Sequence, residues 1–407
     1  MMINKVTLLG HKDHGKSTLL GSLLIATRSV TEQRINEARK TSRQLGRQFE
    51  PGYILDSFQE ERENEMTIDT TRAQIKYKDA AFEFIDVPGH EELIKNMMSG
   101  ASYADFALLL VSAKPDEGIK DQTKRHLFLA KMMGIKKIVV AVNKMDTVKY
   151  NEKRFKEIKS ELSEFLERIG FGNEDLDFIP ISAYNTENLV EKTSSIKWYL
   201  GGSLLDTMYR FAKGSSTERE RNKLRIVMQG ELPDKKEKTL IGKVICGTVR
   251  TNEKVKLVPG NAHYRVKALF VKGAKARSAK TNENIAITLD KKITEDARGH
   301  ILCSENDNLT ATDDIDALVF FTSVIGGNTT IRFNGIEIPA KIDVLAAVDV
   351  VTGKTERSKK IKTLNAANVR LSLGESIAAE PFSKTMELGR FVLYSNREFA
   401  GIGIIKE

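Results

Sequence analysis

The eight residues Gly10-His11-Lys12-Asp13-His14-Gly15-Lys16-Ser17 constrain this chain more than any other stretch. Their spacing, G-x-x-x-x-G-K-S, is that of a loop which cradles phosphate. Residues 6–9 ahead of it read as a buried strand, and residues 18–26 behind it place leucines at helical spacing. Strand, loop and helix in that order is the setting in which the pattern has a mechanism. Gly10 and Gly15 let the backbone turn sharply, so that successive N–H groups face one anion. The helix opening at Gly15 adds its positive dipole end. Lys16 can reach the outer phosphates, and the Ser17 hydroxyl can hold Mg²⁺. The plainer alternative, a Gly-Lys-Ser turn that merely caps a helix, leaves the order of the flanking elements unexplained.

The rest of residues 1–213 continues the alternation. Strands are predicted at 5–9, 74–77, 81–86, 106–112, 137–143 and 178–181, and helices at 15–26, 31–45, 91–98, 120–133, 152–169 and 203–210. This pattern predicts an α/β domain with a doubly wound, mostly parallel sheet, whose ligands sit beyond the carboxyl ends of the strands. Gly214-Ser215-Ser216-Thr217 and the charged run after it read as a linker. From there the period changes to short β segments broken by Gly, Pro, Asn and Asp, with a second polar break at 304–308. Three domains are expected: 1–213, and two antiparallel β-barrels at 218–308 and 309–407.

Four further segments fall at predicted strand ends. Asp86, closing the strand AFEFID, leads into Val87-Pro88-Gly89-His90; a carboxylate there can hold the Mg²⁺ shell while the Gly89 N–H meets a γ-phosphate. Taken alone, the same residues would form an Asx-Pro-Gly turn. His90 stands where hydrolysis needs a polar group to place water, although a lone histidine can equally be structural. Asn143-Lys144-Met145-Asp146 follows the apolar run IVVAV. The Asp146 carboxylate can accept from guanine N1–H and its amino group, whereas adenine would leave it unpaired, a discrimination of roughly 2–4 kcal/mol. Asn143 would tie this loop to the phosphate side, and the Lys144 stem would cover the base plane. Ser182-Ala183 can offer the Ala183 N–H to guanine O6. Thr67, in the acidic stretch 60–70, is placed to close on Mg²⁺ and the γ-phosphate as an order–disorder switch, although the stretch equally reads as a solvated acidic loop. His11 and His14 beside Asp13 point in different directions in a tight loop and are read as structural rather than as a metal cluster.

Composition narrows the partners. No apolar run approaches the roughly 18 residues of a membrane span, so no membrane partner is expected. The opening MMINKVTLLGHK enters a core strand at once, leaving no room for a secretory signal. Cys246 and Cys303 make neither a disulfide framework nor a metal spacing, and a cytoplasmic setting is expected. The net charge of +9 is uneven. Residues 1–213 hold 32 Lys and Arg against 31 Asp and Glu, and the remainder holds 32 against 24. Such an excess suits RNA or an acidic protein, and equally a lysine-rich solvated surface.

With GHKDHGKST, EMTID, DVPGH, NKMD and SAY in this order, the chain resembles the translation-factor class of GTPases, over nearly its whole length. The resemblance implies GTP/GDP and Mg²⁺ as ligands. Asp13, His14, Gly15, Lys16, Ser17 and Thr18 become the phosphate loop, and Ser17, Thr67 and Asp86 the Mg²⁺ residues. Thr67, Gly89 and His90, with Lys16, become the hydrolysis residues. Asn143, Lys144, Asp146, Ser182 and Ala183 become the guanine residues. Two branches compete within the class. Stretches such as LGRQFEPGYILDSFQEERE and SSIKWYLGGSLLD are similar to the GTPase subunit of sulfate adenylyltransferase, whose partner nucleotidyltransferase subunit makes adenylyl sulfate. The alternative branch, elongation factors Tu and one-alpha, carries aminoacyl-tRNA to the ribosome, here through the basic C-terminal barrels. The chain departs from the class at Glu65-Met66, where Gly-Ile is usual, and at 225–230, which lacks the usual Pro and Asp. It departs from the sulfurylase branch at Asp13-His14, where two aspartates are common.

Overall fold

The computed structural model describes residues 2–44, 46, 49–55, 72–86, 104–214, 223–232, 239–293, 296–358 and 360–407. The chain divides into two compact units, Met1–Ser216 with Val351–Gly353, and Thr217–Val350 with Lys354–Glu407.

The first unit is the α/β sheet that the alternation predicts. Its strands are β1 (Met2–Leu9), β2 (Arg72–Tyr77), β3 (Ala80–Asp86), β4 (Phe106–Ser112), β5 (Ile138–Asn143) and β6 (Leu176–Pro180). They lie in the order β2-β3-β1-β4-β5-β6. Every pairing is parallel except that of β2 with β3, which is antiparallel and puts β2 at the edge. β4 and β5 are buried along their whole length, as parallel strands covered on both faces must be, and they read accordingly as unbroken apolar runs. Around them run α1 (Lys16–Ala26), α2 (Glu32–Gln44), α3 (Asp121–Met132), α4 (Glu152–Arg168) and α5 (Leu204–Gly214). The helix expected at 91–98 lies outside the described residues. α5 runs four residues further than its pattern suggested, because Phe211 and Ala212 join the buried core and extend the apolar face. Among the described residues, no helix is long and apolar enough to cross a membrane.

The order of the strands decides what the loops can do. β4 sits between β1 and β5, so the three loops that leave their carboxyl ends emerge side by side.

The second unit holds two closed antiparallel sheets of seven strands each among the described residues. One closes where Lys254–Val258 pairs with Ala262–Val271, the other where Thr329–Phe333 pairs with Ile336–Val348. Each has its own apolar core. A third, smaller cluster joins Val227, Val258, Ile301 and Cys303 of the first sheet to Ala378 and Leu388 of the second. Cys246 and Cys303 are unpaired and buried, and burial pushes their thiols up to about 12 and about 11.

Beside that cluster lies a buried charge. Arg225, 2% exposed, places all five of its N–H donors. Nε and Nη2 donate to Glu380 at 3.0 and 2.6 Å, Nη1 and Nη2 to Asp307 at 2.9 and 3.0 Å, and Nη1 also to Leu224 O at 2.8 Å. Burial alone would raise the Glu380 and Asp307 carboxyls, but the Arg225 hydrogen bonds and charge outweigh it and hold both below the usual carboxylate range. Removing one member of such a group strands the others without compensation, which costs about 3–5 kcal/mol. Arg225→Ala is therefore expected to lower the urea-unfolding stability of the second unit by about that amount. Because both carboxyls are depressed in the folded state, the stability they contribute is complete above the ordinary carboxylate pKa and is lost as pH falls below it. Chemical unfolding followed from pH 7 to pH 3 should show that acid loss in the wild type and a shallower loss in Arg225→Ala.

Candidate functional site

The loop between β1 and α1 turns on its glycines. Gly10 has φ +141° and Gly15 φ +88°, a region that side-chain-bearing residues rarely adopt. A Cβ at Gly10 would stand 2.7 Å from Leu110 O, and one at Gly15 would stand 2.7 Å from Asn143 Nδ2. The second glycine is thus required by another motif as well as by its own backbone. Lys16 Nζ donates to Gly10 O at 2.8 Å across the loop, and Ser17 is exposed on the first turn of α1.

Asn143, the last residue of β5, is buried and makes two hydrogen bonds. Its Nδ2 donates to His14 O at 2.9 Å, and its Oδ1 accepts from Ala183 N at 2.9 Å. The first partner can only accept and the second only donate, so the orientation of the amide is determined. One side chain therefore joins the loop after β1, the end of β5 and the loop after β6. Ser22 of α1 adds a second tie, donating to Ala183 O at 2.6 Å.

That geometry engages two residues that the sequence singles out. The Ala183 N–H, expected to face guanine O6, is already donated to Asn143; a buried backbone donor needs a partner, and this one has found it inside the protein. His14 lends the loop its carbonyl while its ring turns inward, fully buried, with Nδ1 3.0 Å from Leu110 O. Burial, opposed in part by that hydrogen bond, lowers its pKa to about 4, so the ring is neutral. Ser182, also fully buried, accepts from Asn185 N and exchanges backbone bonds with Glu187.

A cavity of about 370 Å³ opens between these loops, bordered by Asp13, Gly15, Thr18, Lys144, Asp146 and Tyr184 among others. Its size falls within the range of small-molecule sites. The half-buried Asp146 carboxylate lines it and accepts no hydrogen bond from any described residue. Lys144 spans the mouth of the same cavity, its ammonium donating to Asp13 O at 2.6 Å and to Glu117 Oε2 at 2.7 Å. Its backbone is left-handed, φ +61°, as are those of Lys149 and Tyr150. Three such residues within seven concentrate backbone strain at this loop, as sites that bind ligands often do. The strain is held by packing: Tyr150 donates through its hydroxyl to Glu187, Ser195 does so at 2.7 Å, and the indole of Trp198 donates to Tyr150 O at 2.8 Å.

The donors suited to a hard cation lie around the same loop. Asp86 ends β3, and its Cα is in register with Leu8 of β1, two residues ahead of Gly10. Thr67, Gly89 and His90 lie outside the described residues. Lys114 also borders the cavity and belongs to no motif, and Glu50 and Tyr184, which border it too, lie in stretches whose only signal in the sequence is the resemblance.

If the Asn143 amide holds the three loops together, Asn143→Ala leaves a buried carbonyl and a buried N–H unpaired, at about 1–3 kcal/mol each. Calorimetry should show GDP affinity falling roughly a hundredfold. Trp198 is the single tryptophan and touches the loop after Asp146, so its fluorescence should change when GDP binds and be unresponsive in that variant.

Residues 1–214 match the family described as elongation factor Tu GTP binding domain, and residues 323–406 match GTP-eEF1A C-terminal domain-like. Elongation factor 1-alpha of Aeropyrum pernix is 31% identical over 420 residues, covering 99% of this chain and 96% of its own length. That of Pyrobaculum aerophilum is 33% identical over 405 residues, covering 95% and 90%. A solved structure, sup35 complexed with GDP, is 22% identical with a TM-score of 0.44, over 100% of this chain and 94% of its own. The stretches that suggested the sulfate adenylyltransferase branch do not carry the affiliation, since these whole-length relatives are elongation factors. The chain belongs to the elongation factor Tu and 1-alpha family of translation GTPases.

Proposed function

We propose that the chain is a GTP-hydrolysing elongation factor of the 1-alpha kind, which binds guanine nucleotide in the cavity beside the phosphate loop and carries aminoacyl-tRNA to the ribosome. The observation that carries the nucleotide reading is the Asp146 carboxylate, which borders the cavity without a hydrogen-bond partner among the described residues. Guanine supplies two donors on one edge, and adenine would leave the carboxylate unsatisfied. Asn143 sets the distance between base and phosphate ends, and the Lys144 stem lies along the cavity between them. The N–H groups from Gly15 onward, the helix dipole and Lys16 attract the phosphates. When bound, Mg²⁺ would neutralise part of the phosphate charge; Ser17 and Asp86 are the residues placed to hold it, with Thr67. His90 is assigned the placing of water, and Gly89 with Thr67 the sensing of the γ-phosphate, by their positions in the sequence.

Delivery of aminoacyl-tRNA is supported by the whole-length likeness to chains named Elongation factor 1-alpha and by the charge of the second unit. Between positions 262 and 282 lie Arg265, Lys267, Lys272, Lys275, Arg277 and Lys280, all exposed, with no acidic residue among them. A ribbon of that kind suits a phosphate backbone.

The deciding experiment measures deacylation of aminoacyl-tRNA with the full chain and GTP or GDP. Protection by the GTP form that weakens steeply with salt is expected, and equal behaviour with both nucleotides would overturn the delivery role. Replacing Lys272, Lys275 and Arg277 with alanine should flatten that salt dependence. In the first unit, Asp146→Asn should shift preference from guanine toward xanthine nucleotides, read by competition. His90→Ala should slow GTP hydrolysis roughly tenfold or more with GDP affinity unchanged.

A further inference from the structure

We propose that Glu117 is a positioning residue for the nucleotide: its carboxylate fixes the ammonium of Lys144, so that the lysine stem lies across the base end of the cavity before a ligand arrives. The inference rests on the nucleotide reading above and extends it to a residue outside every motif.

Lys114-Pro115-Asp116-Glu117-Gly118 follows β4. The sheet gives it a role. β4 lies between β1 and β5, so the loop leaving β4 has the phosphate loop on one side and the Asn143–Asp146 loop on the other. Glu117 stands in that gap, 19% exposed. Its Oε2 is 2.7 Å from Lys144 Nζ and its Oε1 3.3 Å from Lys114 Nζ. Lys144 and Lys114 border the cavity. The carboxylate stands behind the two lysines and reaches the ligand only through them.

The Lys144 side chain is held at both ends. Its backbone occupies the left-handed region, and its ammonium is shared between Glu117 and Asp13 O. Burial alone would raise the Glu117 carboxyl, but hydrogen bonds from Lys144 and Ser112, with the charge of Lys144, bring it down to about 2. It is therefore ionised throughout the pH range of any binding assay. Ordering a lysine costs side-chain entropy. Where Glu117 has already ordered it in the free protein, that cost does not fall on binding. A bond between two ions is also stronger than the one between an ammonium and a neutral amide that glutamine could offer.

The test is the release rate of N-methylanthraniloyl-GDP from the full chain, by stopped flow, for the wild type, Glu117→Gln, Lys144→Ala and the double variant. Glu117→Gln is expected to speed release about tenfold, to weaken GDP and GTP alike, and to leave the hydrolysis rate at saturating GTP unchanged. It should also leave the preference for guanine over xanthine unchanged, since Asp146 reads the base edge. In the Lys144→Ala background, the same replacement should change release by less than about twofold, because the closer of its two lysine partners is gone and only the longer contact to Lys114 remains. Glu117→Asp, which keeps the charge but withdraws it by one methylene, should give an intermediate rate. Release within about twofold of the wild type in Glu117→Gln, or a tenfold effect that persists without Lys144, would overturn the proposal. Failure of the wild type to bind GDP would instead overturn the nucleotide reading beneath it.

Discussion

Two hydrogen bonds from one buried amide hold the first unit's chemistry in place. Asn143 reaches His14 O with its nitrogen and Ala183 N–H with its oxygen, and the close approach of its nitrogen excludes a side chain from Gly15. The partners it joins lie 129 and 40 residues from it along the chain. Each loop alone has many conformations; the amide selects one for all three, because every unsatisfied donor or acceptor at that depth costs about 1–3 kcal/mol. The cavity between the phosphate loop and Asp146 is a consequence of that selection, and so is its fixed span.

Neighbouring contacts share the load. Lys144 adopts a backbone conformation costly to a residue with a side chain, and its ammonium has two acceptors that offset the strain. Tyr150, also left-handed, is held by its hydroxyl on Glu187 and by the indole N–H of Trp198 on its carbonyl. Strain at this loop is therefore maintained by packing outside it. The same logic governs Arg225 in the second unit, where a guanidinium with every donor placed makes burial of three charges tolerable.

Legibility of the fold followed the strength of its patterns. β4 and β5 were visible as apolar runs because a parallel strand covered on both faces has no polar side to show. The edge strand β2 was read two residues short, since half of it faces outward and its start at Arg72 is set by pairing with Ile85. Of the residues that the motifs single out, Gly15, Asn143 and Asp146 border one cavity. The Ala183 N–H, expected to face a base, is bonded within the protein to Asn143, and the His14 ring, read as structural, lies buried against Leu110 O.

Sequence alone determined the alternation of strands and helices in the first unit and the glycines that the tight bend between β1 and α1 requires. These follow from local geometry and from the chemistry of single side chains. Only the tertiary structure decided which groups are left for a ligand. The placing of β4 between β1 and β5 brings Glu117 to Lys144, and the closure of two sheets brings Asp307 and Glu380 to Arg225. Hydrogen bonds and charge pairs act over a few ångströms of space, whatever the distance along the chain, and only folding sets which residues stand that close.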